Sequence, residues 1–160
     1  AFDLPVVEPT TPQIEGLFSR GPASFESSFL LRLRGKVPQD PGKITATVRA
    51  RRGTTRPPAP SGRAFAKYTY TPRGDGHFEG SGSSRQLKRT FYSEDTGSGV
   101  RIYPYGNIPF GRTLRFAFSI EVTQNGRRLG GMRSGATCHR IQFTGHSAVK
   151  CKAVGLKQQP

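Results

Sequence analysis

Residues 113–123 read TLRFAFSIEVT, and QNGRRL (124–129) follows directly. Leu114, Phe116, Phe118, Ile120 and Val122 alternate with Arg115, Ala117, Ser119 and Glu121. This period of two belongs to a half-buried strand, because successive side chains of extended chain point to opposite faces. Asn125-Gly126 then supplies the strongest short-range hairpin signal, since both central residues of a type I′ turn need positive φ. With Gln124 opposite Arg127, the expected register sets Val122 against Leu129, apolar on apolar.

A second hairpin follows downstream. A two-residue turn at Thr144-Gly145 pairs Phe143 with His146, and counting outward brings Cys138 opposite Cys151 as a non-hydrogen-bonded pair. Such pairs place their Cα atoms about 4.5 Å apart, within disulfide reach. A Cys138–Cys151 bridge is therefore expected, closing a loop so short that it stabilises by up to roughly 3 kcal/mol. Native disulfides persist in oxidising surroundings, which points to an extracellular or cell-surface protein. The start at Ala1, with Met132 the sole methionine, fits a chain from which a signal peptide has been removed.

Upstream, Phe25, Ser27, Phe29, Leu31 and Leu33 share one face of an expected strand, and Ile44, Ala46, Val48 and Ala50 one face of another. Ala64, Ala66, Tyr68 and Tyr70 follow the same rule, 85–92 and VRIYPY (100–105) read as further strands, and the Gly- and Pro-rich segments between them read as loops, with a short strand around His77–Glu79 inside 71–84. No window carries a helical apolar stripe. Seven or eight short strands with turns between them describe an all-β antiparallel sandwich, with a jelly roll as the alternative. The order resembles immunoglobulin-like or fibronectin-III-like domains of secreted bacterial proteins over residues 25–154. The immunoglobulin Cys…Trp…Cys pattern is absent, because the chain has no Trp. Residues 1–24, with three prolines by residue 12 and a fourth at Pro22, read as an extended Pro-rich arm, and 25–160 as one sandwich domain.

The chain has 160 residues with 33% hydrophobic content, and its 11 Phe and 5 Tyr suffice for one core. Its apolar runs reach only three or four residues, such as Phe29-Leu30-Leu31, far below the ~20 a membrane helix needs. Lys and Arg number 25 against 10 acids, a formal charge of +15, and the first 19 residues hold three acids and no base. A charge of this size attracts polyanions, whether nucleic acid or anionic polysaccharide.

Cys138, His139, His146 and Cys151 do not make a zinc site, because the two cysteines and the two histidines fall on opposite faces of the hairpin. No Gly-x-Ser-x-Gly elbow, phosphate-binding loop or dinucleotide fingerprint occurs, so the reading is non-enzymatic and without cofactor or metal. Arg73-Gly74-Asp75 sits between Pro72 and Gly76, where turn chemistry explains it, and SEDTGSG (93–99) lacks the ligand alternation of a calcium loop. Two functions are expected. In the first, the chain is a structural or adhesive subunit that self-associates into a filament. Its arm, with Phe2, Leu4 and Val6 alternating with Asp3 and Pro5, would add as a strand to a neighbour's sheet edge. In the second, an Arg-rich sheet face built from Arg32, Arg34, Arg49, Arg51, Arg127 and Arg128 binds an anionic polymer.

Overall fold

The computed structural model describes residues 10–22, 24–40 and 42–159. Eleven strands follow in chain order: β1 (Gln13–Ser19), β2 (Ser28–Arg34), β3 (Ile44–Arg52), β4 (Ala66–Pro72), β5 (Phe78–Ser81), β6 (Arg85–Leu87), β7 (Phe91–Asp95), β8 (Gly99–Pro104), β9 (Leu114–Gln124), β10 (Arg127–Phe143) and β11 (His146–Gln159). They form two antiparallel sheets, a five-stranded one in the order β1-β2-β8-β7-β6 and a six-stranded one in the order β11-β10-β9-β3-β4-β5. No helix of the described residues is long and apolar enough to cross a membrane.

The inward half of each alternating strand builds the core between the sheets. Phe29 and Leu31 of β2 meet Phe116 and Phe118 of β9, with the Phe29 and Phe118 rings edge to face at 5.0 Å. Two phenols extend from β4 across the core to the other sheet. Tyr68 Oη and Ser93 Oγ lie 2.8 Å apart, and Tyr70 Oη donates to the Gly99 carbonyl at 2.6 Å. Burial pushes the hydroxyl pKa of both tyrosines upward, so they stay protonated and keep these partners.

The final hairpin has the expected register: Phe143 pairs with His146 and Cys138 with Cys151, which are disulfide-bonded with Cα atoms 4.0 Å apart. The hairpin at Asn125-Gly126 differs. Gln124 does pair with Arg127, but a β-bulge between Arg128 and Gly130 sets Val122 against Gly130 instead of Leu129. The extra residue shifts everything that follows by one position, and a one-residue shift exchanges the two faces of a strand. A second bulge lies between Arg133 and Gly135, where the partner strand carries Gly155 at φ 68°.

Three further departures from the sequence reading have local causes. The sheet begins at Gln13, inside the stretch read as an extended arm, because β1 pairs along its whole length with β2. The strand expected from Phe25 starts at Ser28, since a turn closed by Phe25 N–H to the Pro22 carbonyl (2.9 Å) leaves Phe25 outside the sheet. The strand expected over 85–92 is divided by a turn in which Lys88 and Arg89 adopt positive φ.

The β1–β2 turn is fastened to β11 by a buried cation. Lys150 is only 4% exposed. Its Nζ donates to the carbonyls of Arg20 (2.5 Å), Pro22 (2.7 Å), Gly21 (3.4 Å) and Phe25. Three ammonium protons thus share four acceptors, which replace the lost hydration shell. Next to it, the Cys151 N–H donates to Ser27 Oγ and the Ser27 N–H to the Val149 carbonyl. Farther along, the Gln158 side chain accepts from Gly16 N–H at 2.8 Å and donates to the Ile14 carbonyl at 2.6 Å, so one amide holds the outer edge of β1. Replacing Lys150 by Met should leave these carbonyls without donors. Lys150→Met is expected to lose about 3 kcal/mol of unfolding free energy in urea titration while retaining the β-sheet circular dichroism signal. An unchanged midpoint would show that water satisfies the turn equally well.

Candidate polyanion-binding face

Directly opposed residues of an antiparallel pair share a face. Arg49 on β3 opposes Ser119 on β9, Ser119 opposes Arg133 on β10, and Arg133 opposes Lys157 on β11. These residues form one row across the outer surface of the six-stranded sheet. At about 4.8 Å per strand, the row spans roughly 14 Å. A parallel row holds Arg115, Thr137 and Lys152, and between the two lies Arg51 opposite Ala117. Across β3, β9, β10 and β11 the one outward acid is Glu121, and the one outward aromatic is Phe143, at the far end of β10 beside the Thr144-Gly145 turn.

The loop 53–62 lies on this surface. The Gly53 N–H donates to the Arg115 carbonyl at 2.8 Å, and Ala117, although it faces outward, is fully buried. At Gly135 a Cβ atom would come within 2.1 Å of the Thr55 carbonyl oxygen, so only glycine admits the loop there. On one side of the loop, a cleft of about 340 Å³ is lined by Arg49, Pro58, Pro60, Glu121, Arg128 and Arg133. The Arg49 guanidinium is held in the cleft wall by Nε donating to the Gly62 carbonyl at 2.6 Å. Arg128 Nε lies 3.7 Å from Glu121 Oε2. Arg51, Arg115, Arg133, Lys152 and Lys157 make no ion pair with an acid among the described residues. Their charges therefore project a strong positive potential from a rigid surface.

The six arginines expected to form one face are divided between the two sheets. Arg32 and Arg34 belong to β2 in the five-stranded sheet, where Glu15 on β1 opposes Arg32 directly. Arg32 Nη2 lies 2.9 Å and Arg34 Nη1 3.5 Å from Glu15 Oε2. The hydrogen bond from Arg32 holds the Glu15 carboxyl below its ordinary range. Arg49 and Arg51 lie on the outer surface of the six-stranded sheet, with Arg127 and Arg128 where β10 begins. Phe2, Leu4 and Val6 lie outside the described residues. Arg115, Arg133, Lys152 and Lys157 were missed by the sequence reading. Arg115 and Lys152 are outward by simple alternation, but Arg133 faces outward only because of the bulge before Gly130.

The cleft wall depends on the loop staying in place. Gly135→Val should displace loop 53–62. It is expected to weaken binding of a heparin oligosaccharide about as much as removing Arg49, with Tm lowered by several degrees. Heparin affinity equal to the parent's would show that the loop does not position Arg49.

Comparison of the chain with protein families, curated proteins and solved structures finds no match.

Proposed function

We propose that the protein is a non-enzymatic, extracellular β-sandwich module that binds an anionic polymer along the outer face of its six-stranded sheet. The observation that carries this reading is the row Arg49–Arg133–Lys157 with the flanking Arg51, Arg115 and Lys152, where Glu121 is the one outward acid. Because no aromatic ring lies within these rows, the bases are suited to reading charge spacing rather than to stacking on nucleobases. The Cys138–Cys151 bridge supports an oxidising compartment.

The strand order supports an immunoglobulin-like assignment. Sheets β1-β2-β8-β7 and β10-β9-β3-β4-β5 follow the variable-type A-B-E-D and G-F-C-C′-C″ orders, with β6 and β11 added at the edges. The disulfide links adjacent strands of one sheet here, instead of bridging the two sheets.

Salt titration tests the proposal. With about five charge contacts, affinity for a 20-base-pair duplex should fall roughly 500-fold between 50 and 200 mM salt. The Arg49→Ala/Arg133→Ala double variant should reduce the slope of log affinity against log salt by about 2, and Arg32→Ala/Arg34→Ala should leave it unchanged. Equal losses from the two pairs would assign binding to net charge instead of to this face.

A second reading, self-association through the arm, is favoured by the edge position of β11, where Val154 and Leu156 are exposed. Light scattering on the full chain and on a form lacking residues 1–12 decides it. Polymers formed by the full chain alone would establish the arm as connector, and identical monomers would remove it.

A further inference from the structure

The outer face of the five-stranded sheet has a different chemistry. Tyr103 on β8 pairs with Tyr92 on β7, and their rings lie nearly parallel, 10° apart with centroids at 5.6 Å. Tyr105 stands edge-on to Tyr92 at 4.6 Å. Beside this aromatic strip is a cleft of about 370 Å³, lined among others by Ser19, Phe25, Glu26, Glu94, Arg101 and Tyr103. Phe25 is 64% exposed, the most exposed large apolar side chain of the described residues. It is held there firmly, because its N–H is bonded to the Pro22 carbonyl and its own carbonyl accepts from Lys150.

The charges around the cleft are balanced. Glu94 Oε1 lies 3.5 Å from Arg101 Nη1. Desolvation pushes the Glu26 carboxyl upward, opposed by Arg140, the Val149 N–H and Lys150, which favour its ionised form. Each fixed charge of the cleft thus faces one of opposite sign, Glu94 with Arg101 and Glu26 with Arg140 and Lys150. A neutral ligand with one apolar face and a rim of hydroxyls matches both features: rings for the face, and carboxylates, a guanidinium and serine hydroxyls for the rim.

We propose that this cleft is a second binding site that takes a neutral sugar ring of an oligosaccharide, packed against Phe25 and Tyr103 and hydrogen-bonded to Glu26, Glu94 and Arg101. Two aromatic groups with polar atoms between them suit a pyranose, whose axial C–H bonds form an apolar surface and whose equatorial hydroxyls project outward. The site is independent of the basic face, which lies on the other sheet.

Isothermal titration with cellohexaose, chitohexaose, maltohexaose and mannohexaose provides the test. At least one should bind with a dissociation constant between about 10 µM and 1 mM. Phe25→Ala and Tyr103→Ala should each weaken that ligand at least tenfold while leaving heparin affinity unchanged. Phe25→Ala removes an exposed ring and leaves the core intact, so it separates loss of the site from loss of the fold. No binding by any of the four sugars at about 5 mM would overturn the proposal, as would affinity that neither substitution alters. The Arg49→Ala/Arg133→Ala variant should bind the sugar normally, so failure of the polyanion reading and failure of this one are distinguishable.

Discussion

A single inserted residue decides which side of β10 is the inside. Without the bulge between Arg128 and Gly130, Arg133 would oppose Phe118 and point into the core, and Met132 would point out. With it, Met132 is 1% exposed and packs in the core, while Arg133 joins Arg49 on the surface. The cost of burying an unpaired guanidinium far exceeds that of one irregular ladder position, so the bulged register is the one that folds. The core and the basic face are two results of the same constraint, because β10 is shared by both long hairpins.

Features that depend on nearest neighbours were legible in the residues. The alternation of 114–122, the two hairpin turns and the opposition of Cys138 to Cys151 need only local counting, and the structure contains all of them. Which sheet a strand joins is a matter of pairing across long stretches of chain, and alternation says nothing about it. Arg32–Arg34 and Arg49–Arg51 have the same spacing on similar strands, yet they face opposite sides of the sandwich. Phe25 continues the alternation of β2, but the turn at Pro22 removes it from the strand. The bulge has a weak signal in the Gly130-Gly131 pair, since Gly130 sits at φ 154°. Nothing in a regular hairpin count would have required it.

The distribution of acids separates the two surfaces as clearly as that of the bases. The outer strands near β1, β2, β7 and β8 carry Glu15 and Glu94, each within 4 Å of an arginine. An arginine therefore means different things on the two sides: beside Glu15 or Glu94 it is neutralised locally, and on the six-stranded sheet the charges sum. Net charge alone does not distinguish these cases, although only the second creates a field that extends into solvent.

The Lys150 clasp has a consequence for the order of events in synthesis. The carbonyls that receive its ammonium come from residues 125 to 130 positions earlier, and Gln158 reaches β1 across 142 to 144 positions. The β1–β2 turn can be formed early, but it has no cation to close around until β11 has been made. Pairings of such separation are slow, because chain closure has to precede the contacts that reward it. During that interval the outer edge of β1 lacks its amide partner and is open to pairing with another chain. Until Gln158 has docked, that edge is held by its pairing with β2 alone.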